Sequence, residues 1–254
     1  MRLVLIGFGA IGQAVARALP AAQIGVLTRT PRPLPNHAIA LASLDAVRGF
    51  APDLVVEAAG QDAARAMAPG LLMEGFSVLL ASVGALADPE TEAQMRAAPR
   101  GDAQLLVPAG AIGGIDLLAS LEKSDIAQVT YTGTKPPAAW ANSPAAENCN
   151  LSALTGPEVL FDGTARQAAL RFPKNANVAA TLALAGAGFD RTRARLVANP
   201  AVQGNSHAYQ VHARGAEVSF EVTALPDPHN PGTSATTALS LVRAIRNRTD
   251  SFVI

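Results

Sequence analysis

Cysteine, lysine and charge are all scarce in this chain. A single cysteine, Cys149, among 254 residues excludes an intrachain disulfide framework and a cysteine-rich metal site, so no metal is expected and the cytoplasm is the expected compartment. Charged residues make up 16% of the sequence and hydrophobic ones 49%. Against a usual charged fraction of about 25%, that balance suits an α/β protein with buried strands and a buried subunit interface. The formal net charge is zero and no basic cluster stands out, which argues against a nucleic-acid partner. No stretch reaches the ~20 apolar residues of a membrane span. The apolar opening is broken by three glycines and carries Gln13 and Arg17, unlike a signal peptide.

What the chain does have is concentrated in its first twelve residues, MRLVLIGFGAIG. Leu3 to Ile6 form a continuous apolar run suited to a strand buried on both faces. Gly7-Phe8-Gly9-Ala10-Ile11-Gly12 follows at once, and Ala10, Ile11, Ala14, Val15, Ala18 and Leu19 then recur at helical spacing up to Pro20. A G-x-G-x-x-G between strand and helix is the dinucleotide-binding turn. Gly7 permits the tight turn, Gly9 lets the backbone approach a pyrophosphate, and Gly12 lets helix pack on strand, while the first helical N–H groups, those of Ala10 and Ile11 among them, face the anion.

Ile24 to Leu27 reads as the second strand, ending in Thr28-Arg29-Thr30 and a proline-rich loop. An acid at this point would hold the adenosine 2′-hydroxyl and exclude a 2′-phosphate, whereas an arginine pairs with that phosphate. The position carries Arg29, with Arg32 nearby, so NADP is expected to be accepted as well as NAD. Leu54 to Ala58 is the next strand and runs through Ala59-Gly60 into a helix from Gln61 to about Met73. Phe76 to Leu80 is another, ending in Ala81-Ser82-Val83-Gly84-Ala85, small enough for a nicotinamide ring to lie close to the backbone. A helix from Asp88 to Ala98 and a strand from Gln104 to Val107 complete about a hundred residues of βαβ alternation, predicting a Rossmann-type doubly wound parallel sheet.

From Pro108 the texture changes. A glycine-rich bend at 109–114 leads into an apolar helix from Ile115 to Leu121, then a strand over Ile126 to Tyr131 and a loop through Gly133-Thr134-Lys135-Pro136-Pro137. Arg166 to Phe172 and Val178 to Ala185 read as helices. Thr192 to Ala198, Ser206 to Ala213 and Glu217 to Thr223 read as an antiparallel meander. A last helix, Thr233 to Arg246, places Leu239, Val242 and Ile245 on one face and is expected to return to the first domain. The predicted organisation is therefore a dinucleotide-binding domain at 1–107 and 231–254, and an α+β domain at 108–230 with a mixed or antiparallel sheet, the substrate-binding and catalytic part and the surface for a homodimer.

Five stretches in the second half, VPAGAIGGIDLLAS (107–120), TYTGTKPPAAW (130–140), FPKNANVAATLALAG (172–186), NSHAYQVHARG (205–215) and NPGTSATTALSLVRAIRNR (230–248), in this order behind the glycine turn, resemble the L-aspartate dehydrogenase family. The resemblance spans nearly the whole chain and implies nicotinamide-linked oxidation of L-aspartate to iminosuccinate, which hydrolyses to oxaloacetate and ammonia or supplies pyridine-nucleotide biosynthesis. It also implies cofactor contacts at Ala111 and Asn177 and an active-site histidine at His207. Thr134 departs from the basic residue of many relatives, so a carboxylate contact from that loop rests on Lys135.

The residues themselves lead to a compatible chemistry. Oxidising an amine needs a group that accepts its proton near working pH, and histidine suits this best. Of the four histidines, His37 and His229 lie in loops, and His212 should point opposite to His207, which opens its strand. The carboxylates of a dicarboxylic substrate need cations or N–H donors. The chain has only three lysines, and two of them, Lys135 and Lys174, sit in non-helical junctions. Thr233 and Ser234 at the start of the last helix offer further donors. Two other readings remain open from sequence. Cys149 between Asn148 and Asn150 suits a thiol nucleophile of an aldehyde or semialdehyde dehydrogenase with His207 as its base, and the fold also suits a non-enzymatic NAD(P)-sensing protein.

Overall fold

In the computed structural model, the backbone is described for residues 1–253 other than 122, 124, 225, 228 and 229, and the side chains of these except 226, 227 and 230–235. His229 therefore lies outside the described residues, as do the side chains of Thr233 and Ser234. The chain divides into two compact units, Met1–Pro108 with Thr237–Ile254, and Ala109–Thr236.

The first unit is built on β1 (Arg2–Ile6), α1 (Ala10–Ala18), β2 (Gln23–Leu27), β3 (Ala38–Leu41), α2 (Leu44–Phe50), β4 (Leu54–Glu57), α3 (Gln61–Met73), β5 (Val78–Leu80), α4 (Pro89–Ala97) and β6 (Leu105–Leu106). Its six strands lie in the order β3-β2-β1-β4-β5-β6, with every pairing parallel. That is the doubly wound order whose ligands sit beyond the strand carboxyl ends, where the chain reverses direction between β1 and β4. The sequence reading missed β3 and α2. Residues Ile39 and Ala40 of β3 are exposed, so this edge strand has no continuous apolar run, and α2 is only seven residues long.

The second unit contains α5 (Ile115–Ser120), β7 (Ile126–Lys135), β8 (Glu158–Thr164), α6 (Ala165–Arg171), α7 (Asn177–Ala185), β9 (Thr192–Ala198), β10 (Asn205–Ala213), β11 (Ala216–Ala224), β12 (Pro226–Asp227) and β13 (Asn230–Ser234). Its main sheet is mixed, in the order β11-β10-β7-β9-β8. The expected three-strand meander is half right. β10 and β11 form an antiparallel hairpin about Arg214-Gly215, where Gly215 takes φ +84°, but β9 crosses to the far side of β7 and pairs with it in parallel. The Gly133-Thr134-Lys135 segment, read as loop, is the last part of β7. A central strand with partners on both sides keeps its ladder through a glycine that an isolated strand would tolerate poorly.

The last helix, α8, runs from Ala235 to Arg246. Thr233 and Ser234 thus belong to β13 rather than to the helix start. Its buried face is Ala238, Leu241, Val242 and Ile245, while Leu239 is 63% exposed, so the expected face is shifted round the helix. Leu241, Val242 and Ile245 close the core made by Leu3, Leu5, Val15, Ile24, Val26, Leu54, Val56 and Leu79. Among the described residues, no helix is long and apolar enough to cross a membrane.

Candidate functional site

The glycine turn has the geometry its spacing requires. Gly7 adopts φ +94°, and a side chain there would strike the carbonyl of Ala58, while one at Gly12 would strike the carbonyl of Gly7. A side chain at Gly9 would meet nothing within 4 Å, which leaves that peptide open to an approaching group. Helix α1 starts at once behind it, with no side-chain cap and no acid in its first turn. Ala10 and Ile11 therefore stand at an uncapped, positively polarised helix end, the surroundings a pyrophosphate needs. These residues fit a dinucleotide.

Beyond β4 the chain holds a feature the sequence reading passed over. Glu57, the last residue of β4, is 1% exposed. Its carboxylate accepts hydrogen bonds from the backbone of Ala59 and Gly60, both at 2.8 Å, and from the N–H and hydroxyl of Ser82, at 3.0 and 3.1 Å. Burial pushes its pKa above the usual carboxylate range and the four donors pull against that. One side chain thus ties the turn after β4, where Gly60 takes φ +127°, to the turn after β5, holding the backbone of Ala59 and Ser82, two of the positions the sequence marked for the cofactor. The signal was available: a lone acid closing an apolar strand is either exposed or held by donors. Arg29 lies just past β2 and is exposed, as is Arg32.

In the second unit, Ala111 is buried in the glycine-rich bend. The Tyr209 hydroxyl donates to the carbonyls of Gly113 and Gly114 at 3.2 Å and pins that bend to the sheet. Asn177 is the first residue of α7. Lys174 is exposed in the turn before it.

His207 is 4% exposed on β10. It sits opposite Gly133 of β7, and its Nδ1 lies 2.8 Å from the hydroxyl of Tyr131. Burial, with the nearby Lys135 charge, pushes its pKa down to about 4, so the unliganded imidazole is neutral at working pH. Lys135 ends β7 with its Nζ 5.5 Å from the Trp140 ring centroid. Burial pushes its pKa down to about 8. Trp140 is fully buried, and its indole N–H has no hydrogen-bond partner among the described residues. The sheet thus brings His207 and Lys135 together. Tyr131 escaped the sequence reading because its relation to His207 exists only in the strand register.

Cys149 is half-buried beside a surface depression lined by Ala141 and residues 146–152. Among the described residues, no histidine lines this depression beside the thiol.

Comparison with known proteins agrees with this layout. Residues 116–248 match the family described as aspartate dehydrogenase, C-terminal, and residues 7–108 match homoserine dehydrogenase, NAD binding domain. An L-aspartate dehydrogenase from Ruegeria pomeroyi is 44% identical, covering 98% of this chain and 92% of its own. L-aspartate dehydrogenase 2 from Bordetella bronchiseptica is also 44% identical, over 100% and 98%. The crystal structure of aspartate dehydrogenase from Thermotoga maritima has a TM-score of 0.80 at 25% identity, covering 100% of this chain and 99% of that one. A hyperthermophilic archaeal homoserine dehydrogenase in complex with NADPH shares the fold at TM-score 0.58 and 12% identity. With relatives this close along its full length, the chain belongs to the aspartate dehydrogenase family.

Proposed function

We propose that this protein oxidises L-aspartate to iminosuccinate, with NAD or NADP as acceptor, and that the product hydrolyses to oxaloacetate and ammonia or enters pyridine-nucleotide biosynthesis. The observation that carries the reading is a buried, neutral His207 beside Lys135, in a chain with full-length relatives named for this activity. In the first unit, Gly7, Gly9, Ala10, Ile11 and Gly12 hold the pyrophosphate, Arg29 the adenosine end, and Ala59, Ser82 and Gly84 the nicotinamide end; in the second unit, Ala111 and Asn177 are the cofactor-contacting positions. A nicotinamide cofactor held there would supply the acceptor for the hydride that leaves the α-carbon.

The residues of the chain manage the proton and the charges. The α-ammonium of aspartate must lose a proton before its nitrogen lone pair can form the C=N bond, and His207 accepts that proton. Lys135 and Lys174 hold the two carboxylates, with Thr233 and Ser234 as further donors. A carboxylate beside Lys135 offsets the charge that helps keep the His207 pKa low, so substrate binding raises the basicity of the imidazole. The protein works as a homodimer through the mixed sheet, whose exposed residues include Gln128 and Gln210.

The test is a panel assay following the absorbance of the reduced nicotinamide. L-Aspartate should give turnover, and D-aspartate, L-malate and L-glutamate should not. Equal activity with L-glutamate overturns the tight dicarboxylate fit, malate alone removes the amino-acid assignment, and nucleotide binding without any turnover favours the sensor reading.

A further inference from the structure

The chain has two tyrosines, and the register places them face to face: Tyr131 of β7 pairs with Tyr209 of β10. Tyr209 is committed to the carbonyls of Gly113 and Gly114. Tyr131 points its hydroxyl along the sheet to the next residue pair on the same face, Gly133 and His207. Such diagonal neighbours are within reach of an aromatic side chain. The Tyr131 and His207 ring planes lie within 16° of each other, with centroids 6.1 Å apart.

Gly133 makes this possible. A side chain at that position would overlap the Tyr131 hydroxyl, so the glycine leaves the space in which the phenol reaches Nδ1 of His207. Tyr131 is 0% exposed and sits in the central part of a strand paired on both sides. Burial pushes its pKa far above the ordinary phenol value, so it remains a neutral hydroxyl able to donate one hydrogen bond and accept others.

We infer that Tyr131 is the positioning residue for His207: its hydroxyl accepts the Nδ1–H, holds the ring, and leaves Nε2 as the one nitrogen that exchanges a proton with substrate. This rests on the reading of His207 as the base. A neutral imidazole carries one N–H, so a base acting at Nε2 must keep its hydrogen on Nδ1. Once Nε2 takes the proton from the substrate ammonium, both nitrogens carry hydrogen, and the buried Nδ1–H still needs an acceptor. Tyr131 supplies it in both states.

The test uses Tyr131→Phe, which keeps the ring and removes the hydroxyl, with Gly133→Ala as a second variant that crowds the hydroxyl while keeping it. Far-UV circular dichroism checks that both fold. In the 15N-labelled parent protein, with the His207 signals identified by their loss in His207→Gln, Nδ1 should give the protonated, pyrrole-type signal and Nε2 the pyridine-type one. In Tyr131→Phe the two tautomers should mix. Turnover with L-aspartate should fall about ten-fold to a hundred-fold in Tyr131→Phe, the range for loss of an outer partner that orients a functional histidine, while KM and the NADPH dissociation constant stay within about two-fold. Gly133→Ala should move both readouts in the same direction. A pyridine-type Nδ1 in the parent protein, or unchanged turnover in Tyr131→Phe while His207→Ala is inactive, overturns the inference and leaves His207 as base standing. Full turnover in His207→Ala overturns both.

Discussion

Glu57 receives two hydrogen bonds from one residue, the backbone N–H of Ser82 at 3.0 Å on Oε2 and its hydroxyl at 3.1 Å on Oε1. With Ala59 and Gly60 also donating to Oε1, both oxygens must be acceptors. Glu57→Gln converts one of them to an amide donor facing an N–H or O–H, and a buried donor left so costs about 1 to 3 kcal/mol. The variant should show a lower urea midpoint and weaker NADPH binding by fluorescence titration. Equal values for both proteins would show that the carboxylate does not hold these turns.

His207→Ala should lower turnover by about 10² to 10⁴, the contribution of a positioned acid or base, with little change in cofactor binding. His212→Ala is the control, since His212 is exposed, with its Nδ1 3.5 Å from Glu217 Oε1. Stability gives a second readout. The unfolded histidine takes its proton near 6.5 and the folded one only at about 4, so between these values the unfolded chain binds more protons. Stability therefore falls as pH is lowered through that window, by about 3 kcal/mol in total, and His207→Gln should remove that slope from urea melts at pH 7 and 4.5. Equal slopes would place His207 in water.

How much of this was legible depended on whether a signal was local. The glycine turn, the buried run of β1 and α1 sit side by side in the chain, and the sequence places them without help. Partnerships between strands do not. Nothing in 192–198 says that β9 lies parallel to β7 rather than beside β10, because the β9 burial alternation is the same in either register. His207 could be picked from its chemistry, but Tyr131 and Gly133 acquire meaning only once β7 and β10 are set in register. Glu57 is the intermediate case, visible as an oddity in an apolar strand and interpretable only with Ser82 beside it.

Lys135 should set the upper pH limit of substrate binding. Its pKa of about 8 means that the ammonium charge is present below that value and lost above it. The inhibition constant of succinate, a dicarboxylate without an amine, should be flat from about pH 6 to 7.5 and then rise by up to about ten-fold per pH unit. Lys135→Arg, whose guanidinium stays charged, should extend the flat region. A constant that stays level to pH 9.5 in the parent protein would exclude Lys135 from the carboxylate site.

Arg29 should favour NADP over NAD. It is exposed just beyond β2, the strand end that meets the adenosine ribose in this fold, and neither Thr28 nor Thr30 carries a charge to repel a phosphate. A guanidinium hydrogen bond to a 2′-phosphate contributes about 1.5 to 3 kcal/mol before solvent screening, and even half of that approaches ten-fold in affinity. Arg32 shares the loop, so Arg29→Ala alone understates the effect. Arg29→Asp does not, because the acid both removes the cation and repels the phosphate while offering an acceptor to a free 2′-hydroxyl. Dissociation constants for both cofactors should therefore shift toward NAD in the order parent, Ala, Asp. A ratio that is the same in all three proteins would mean that Arg29 points to solvent when the nucleotide is bound.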